Sequence, residues 1–133
     1  MVTYYLDTCV YIYHLEQSPL YEKKVEPYFE QLVKNKINVI ASPLVLQEIL
    51  AGVYKADPDK AQEIYGLLAK FPNIEWVHYD LQIADLAAEL TGNFGVRAPD
   101  AIHLATAIAR DVSFFVTNDF KLPKMPLPFK IVF

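Results

Sequence analysis

The stretch Val2-Thr3-Tyr4-Tyr5-Leu6-Asp7-Thr8-Cys9-Val10-Tyr11-Ile12-Tyr13-His14-Leu15 decides the fold. Val2 to Leu6 is short, β-branched and aromatic and reads as a strand, and Asp7-Thr8 ends it with side chains that cap a helix through Val10 to Leu15. A strand that runs straight into a helix, with no hairpin turn between, is the first half of a crossover unit, and crossovers build parallel sheets. The same grammar recurs downstream. Ser18-Pro19 reads as N-cap and first helical residue for a helix with Tyr21, Val25, Tyr28, Phe29, Leu32 and Val33 at helical spacing. Pro27 predicts a kink or restart within it. Ile37 to Ala41 is a second strand, and Ser42-Pro43 repeats the capping signal for a helix through about Tyr54, with Glu48 in its second turn.

Asp57-Pro58 opens a further helix with Ala61, Ile64, Tyr65 and Leu68 on one face, and Ile74 to Val77 reads as a third strand. Asp80 caps the next helix, whose apolar face is Ile83, Leu86, Ala87 and Leu90, and Gly92-Asn93-Phe94-Gly95 reads as a turn or left-handed stop. Pro99 starts a helix carrying Ile102, Ala105 and Ile108, after which Val112 to Val116 forms a fourth strand ending at Thr117-Asn118-Asp119. Pro123, Pro126 and Pro128 make the tail a rigid loop leading to an edge strand at Lys130 to Phe133. Strands alternating with helices predict an α/β fold, a three-layer α/β/α sandwich around a central, mainly parallel sheet.

A length of 133 residues fits one domain spanning 1–133, and 53% hydrophobic against 21% charged residues suits a packed globule. Cys9 is the only cysteine, so no intrachain disulfide forms, and the amino terminus lacks the basic region and apolar run of a secretion signal; a cytoplasmic location is the expectation. No apolar stretch approaches the roughly 20 residues that span a bilayer. A net charge of −4 gives no global footprint for nucleic acid, which counts against a strong non-specific binder but leaves room for an enzyme that meets phosphates through bound cations. The aromatic count, with nine Tyr, eight Phe and one Trp, exceeds what a core of this size needs, which makes Tyr11, Tyr21, Tyr28 and Phe29 interface candidates beside their role in packing.

Four acids stand where an apolar segment meets a turn or a helix: Asp7, Glu48, Asp100 and Asp119. Singly, each has an ordinary use. Asp7 caps a helix, Asp100 complements a helix dipole, and Asp119 is a turn residue. Glu48 lies among Leu44, Val45, Leu46, Ile49 and Leu50, so its carboxylate needs an exposed face or a partner. Jointly they point elsewhere. At the carboxyl edge of a parallel sheet they would converge, and converging carboxylates repel unless a hard divalent cation sits among them. Such cations activate water and stabilise the leaving oxygen in phosphodiester cleavage, and no nucleophilic side chain is required. Thr8, Thr117 and Asn118 are placed to orient a carboxylate or contact a phosphate, although turn and capping chemistry also explains them.

Competing chemistry is sparse. His14, His78 and His103 do not form a metal-ligand spacing, four glycines make no phosphate loop, and no Ser-centred nucleophile elbow appears. An acidic pair after the first strand, which a phosphoacceptor domain would need, is absent. His103 reads as a packed core histidine or a helix-surface partner of Asp100. Arg97 is either a phosphate contact or a solvated loop residue, and Lys121, Lys124 and Lys130 make the tail locally basic.

Leu6-Asp7-Thr8-Cys9-Val10, Ala41-Ser42-Pro43-Leu44-Val45-Leu46-Gln47-Glu48, Arg97-Ala98-Pro99-Asp100-Ala101-Ile102-His103-Leu104-Ala105-Thr106-Ala107 and Val116-Thr117-Asn118-Asp119 together resemble the PIN domain, and the small size resembles its VapC-type toxins. The resemblance spans nearly the whole chain. It implies a magnesium- or manganese-dependent endoribonuclease with Asp7, Glu48, Asp100 and Asp119 as its acidic quartet, Asp7 and Asp100 foremost as metal ligands, and Thr117 as the supporting hydroxyl. It further implies a homodimer held inactive by a small antitoxin. Cys9 stands where the family commonly has Ser, a change expected to touch packing more than chemistry. Two alternatives remain open: a PIN nuclease that processes RNA without an antitoxin, which would not arrest growth on expression, and an inactive RNA- or protein-binding module, which magnesium would not stabilise.

Overall fold

Parity along the strands builds the layers. A computed structural model, describing residues 1–133, forms one five-stranded sheet in the order β3-β2-β1-β4-β5 with every adjacent pair parallel. The strands are β1 (Thr3–Leu6), β2 (Asn38–Ala41), β3 (Ile74–Trp76), β4 (Phe114–Val116) and β5 (Lys130–Val132). Successive side chains on a strand point to opposite faces. Tyr5, Ile40 and Phe115 accordingly enter one core, with Ile83, Leu90 and Leu104, while Leu6, Val39 and Val116 enter the other, with Val10, Phe29 and Val45. The first core is covered by α5 (Leu81–Phe94) and α6 (Ala98–Ala109), the second by α1 (Thr8–Leu15), α2 (Glu22–Val33), α3 (Pro43–Ala56) and α4 (Ala61–Ala69). This is the expected α/β/α sandwich, with a sheet wholly parallel. No helix is long and apolar enough to cross a membrane.

Local signals behave unevenly. Ser42 caps α3, its hydroxyl accepting from the Leu44 N–H, and Asp80 caps α5 by accepting from Ile83. Ser18 does not cap α2. Its carbonyl anchors a turn by accepting from Tyr21 and Glu22 N–H groups, and the helix begins at Glu22 because Leu20, 76% exposed, finds no core to face. Pro27 does not restart α2, which runs through it unbroken from Glu22 to Val33. It lies on the exposed side, where water can take the carbonyl it leaves unpaired, while Val25, Phe29 and Leu32 hold the helix to the core. Asp57-Pro58 opens only a 3₁₀ turn, Pro58–Lys60, before α4. Gly92 and Asn93 stay helical, and α5 stops at Gly95, whose φ of +73° is the left-handed stop. Tyr11 and Phe29 are fully or nearly buried, and Tyr21 packs at a tilt against Tyr13 and edge-on against Phe133, so packing accounts for these three aromatics.

Candidate active site

The chain enters the sheet at its centre. From β1 it moves outward to β2 and β3, then returns to the other side of β1 for β4 and β5. Between β1 and β4 the connections therefore leave in opposite directions, and a crevice opens at the carboxyl ends of those strands. Leu6 is in register with Val116, so Asp7 and Thr117 are the next residues on that edge, and Asp7 N–H still reaches the Val116 carbonyl at 2.9 Å. The helices α1, α3 and α6 all begin there and bring Thr8, Glu48, Asp100 and His103 to the same place.

Asp7, Glu48, Asp100 and Asp119 line one cleft of about 800 Å³, together with Thr8 and Asn118. Thr117 is its fully buried underpinning: its hydroxyl donates to Asp7 Oδ2 at 2.7 Å and accepts from the Asp119 N–H at 3.0 Å. The other Asp7 oxygen accepts from the Thr8 N–H at 2.9 Å. Thr8 turns its hydroxyl to Glu48, donating to Oε1 at 2.7 Å, and His103 Nε2 lies 2.6 Å from that same oxygen. Glu48 thus has the partners its apolar surroundings require. Burial pushes its pKa upward, but the hydrogen bonds from His103 and Thr8 outweigh burial and hold the carboxyl below the ordinary range. Asp100 shows the opposite balance. Burial raises it, Arg97 pulls it down, and Asp119 and Asp7 push it up again, so it stays above the usual aspartate value.

The cleft's donor set is oxygen-rich, as a hard cation requires. No three His, Cys, Asp or Glu side chains lie close enough to grip one ion together. Magnesium tolerates this, because it keeps several waters and takes one or two carboxylates plus substrate phosphates. Thus the acids fit a cation whose shell is completed by water and substrate, and do not form a closed protein cage.

All seven residues singled out from sequence meet here, with Asn118 donating to the Tyr13 hydroxyl at 3.2 Å. Arg97 pairs loosely with Asp100 at 3.4 Å and is 81% exposed, and Lys121 lines the cleft while Lys124 and Lys130 do not. Burial pushes the Cys9 thiol up and so keeps it protonated, consistent with a packing role. Sequence reasoning left His103 outside the site. It is a core histidine, 2% exposed, but it meets Glu48 and not Asp100. Its signal was available: three residues after Asp100, flanked by Ile102 and Leu104, it sits on a helix face that must be buried.

The family model of the PIN domain matches residues 4–127. Ribonuclease VapC19 of Mycobacterium tuberculosis (strain ATCC 25618 / H37Rv) is 28% identical over 126 residues, 91% of this chain and 93% of that protein. Among solved structures, VapBC2 from Rickettsia felis bound to a promoter DNA fragment has a chain that superposes with a TM-score of 0.76 at 21% identity, covering 98% of this chain and 97% of that one. DNA-bound VapBC from Salmonella typhimurium gives 0.69 at 21% identity over the same shares. At that identity the two structures speak for the fold.

Proposed function

The chain belongs to the PIN domain family, and on that premise we propose that it is a metal-dependent endoribonuclease, the toxin of a VapBC-type toxin–antitoxin pair. The observation that carries this reading is the meeting of Asp7, Glu48, Asp100 and Asp119 in one cleft at the switch point of the sheet. The ribonuclease VapC19, similar over nearly the whole chain, supports RNA as the substrate class.

In this reading Asp7 and Asp100 hold magnesium or manganese, with Glu48 and Asp119 completing the acidic surround. A bound divalent ion supplies an activated water and a counter-charge for the phosphodiester. The chain's own residues do the rest. Thr117 fixes Asp7 and the Asp119 backbone in one hydrogen-bonded unit, Thr8 ties Asp7 to Glu48, and Asn118 with Lys121 faces the substrate side of the cleft. In this reading an antitoxin segment would take a second, mainly apolar groove of about 350 Å³ that runs up to Glu48, lined by Ile12, Leu15, Ile49, Val53 and Ile64. A segment lying there would end at the acids. The superposed VapBC structures support such a partner, and a homodimer belongs to the same reading.

The test is RNA cleavage by purified protein with Mg²⁺ or Mn²⁺, with EDTA, and with folded Asp100→Asn. Cleavage lost in both controls is expected. Absence of cleavage of any RNA, with no thermal stabilisation by either metal, would shift the reading to a binding module.

A further inference from the structure

His103 is the buried polar side chain of the cleft that the proposed chemistry leaves without a task. Its ring bridges two elements: Nδ1 lies 2.6 Å from the Tyr5 hydroxyl on β1, and Nε2 lies 2.6 Å from Glu48 Oε1 on α3, with Asp7 Oδ1 3.9 Å from the same nitrogen. The proton positions follow from the partners. An ionised carboxylate only accepts, so Nε2 must carry the hydrogen that joins it to Glu48. With one hydrogen on the ring, Nδ1 is free as an acceptor, and the Tyr5 hydroxyl 2.6 Å away donates to it. The run is Tyr5 O–H to Nδ1, then Nε2–H to Glu48. Thr8 donates to the same oxygen of Glu48, so both donors converge on Oε1 and neither meets Oε2.

We infer that His103 is a positioning residue of the carboxylate site: held in the Nε2–H tautomer by the Glu48 carboxylate and steadied at Nδ1 by the Tyr5 hydroxyl, it ties up Glu48 Oε1 and leaves Oε2 as the oxygen available to a divalent cation. The inference rests on the metal-nuclease reading above. Physically, an unrestrained glutamate samples several rotamers and loses that freedom when it engages an ion. Here the loss is taken during folding, because His103 of α6 and Thr8 of α1 grip the carboxylate. Outer partners of this kind orient a ligand and commonly alter metal affinity or activity about 10–100-fold when removed.

The experiment compares wild type with His103→Leu, which fills the space without a donor, His103→Gln, which restores an N–H near Nε2, and Tyr5→Phe, which removes the anchor at Nδ1. Three readouts are taken: ¹⁵N NMR of the His103 ring in metal-free protein, Mn²⁺ affinity by titration with Mn²⁺ alone, and single-turnover RNA cleavage. The expected result is an Nε2–H ring in wild type and Mn²⁺ binding weakened about 10–100-fold in His103→Leu. His103→Gln should recover most of that loss, with Tyr5→Phe between. A proton on Nδ1 in wild type overturns the inference, as does folded His103→Leu that binds Mn²⁺ as tightly as wild type. Should His103→Leu fail to fold, His103→Gln and Tyr5→Phe decide on the same measures. Wild type that neither binds Mn²⁺ nor cleaves RNA sinks the nuclease reading and the metal half of this inference together, whereas active wild type with unchanged variants sinks the inference alone.

Discussion

At the amino edge of the sheet Glu75 is matched by Arg110, whose Nε donates to Oε2 at 3.0 Å, and Asn73 donates to the Leu32 carbonyl at 2.7 Å and to Asn35 Oδ1 at 2.6 Å. At the carboxyl edge of the same sheet Asp7, Asp100 and Asp119 face one another, and their one ion pair with Lys or Arg is the 3.4 Å contact of Asp100 with the exposed Arg97. Polar groups at the first edge end helices, close turns and cancel charge. Those at the second are braced by Thr117 and Thr8 into positions where they still repel, an arrangement that costs stability unless something positive is bound. The difference separates an edge whose polar groups are matched within the fold from one whose acids are left largely unmatched.

The largest break in that contrast comes from Asp100→Asn. Metal-dependent cleavage is expected to fall at least about 100-fold, the upper range for residues that merely support a metal site. Metal-free protein at neutral pH should become more stable, because a carboxylate that is partly buried and faces Asp119 and Asp7 is gone. The pH dependence has a definite sign. Asp100 has a raised folded-state pKa, so its ionisation costs stability above that pKa, and acidification through the window down to its unfolded value relieves the cost. Glu48 has a lowered one, so its contribution is present above its unfolded value and is lost as pH falls through the folded pKa. Thermal melts in EDTA should therefore show stability rising and then falling on acidification in wild type, with the rise absent in Asp100→Asn. An ordinary first-turn carboxylate would give the reverse, a small loss of stability and no change in cleavage.

Thr117→Val sharpens the contrast by removing a brace while keeping the volume. Its hydroxyl is fully buried and serves Asp7 and the Asp119 N–H at once, so the variant should lose about 1–3 kcal/mol of stability. Cleavage per folded molecule should also fall about 10–100-fold. Thr117→Ser, which keeps the hydroxyl, should recover most of both in urea denaturation and single-turnover assays.

Much of this was legible because the signals are local. Val2 to Leu6 followed by Asp7-Thr8, and Ile37 to Ala41 followed by Ser42-Pro43, each state strand, cap and helix within a few residues, and their repetition leaves a parallel sheet as the economical arrangement. The acids were legible for the same reason, each standing at an element's end. Ser18-Pro19 misled because a capping pair specifies a turn as well as a helix start, and only the lack of a core beneath Leu20 decides between them. The burial of His103 was legible but its role was not, because its partners, Tyr5 and Glu48, stand 98 and 55 residues away, and their convergence exists only in the folded sheet. Local grammar carries elements and caps. Pairings across layers carry the site's internal wiring.

The amino edge supplies the smallest effects and the control. Asn73 has a φ of +62°, a left-handed conformation that Ala tolerates poorly, so Asn73→Ala should cost about 1–2 kcal/mol, and Asn73→Gly should recover the backbone share of it. Cleavage per folded molecule should not change in either. Arg110→Ala removes a pair whose side chains are 49% and 58% exposed, so its effect should stay within about 0.5 kcal/mol and vanish in high salt. That near-silence matters because Arg110 and Glu75 are an acid and a base in contact at 3.0 Å, a polar pair as well formed as any in the cleft. If Arg110→Ala impaired cleavage while melting like wild type, charge at the amino edge would also be serving the chemistry, and the division between the two edges would have to be abandoned.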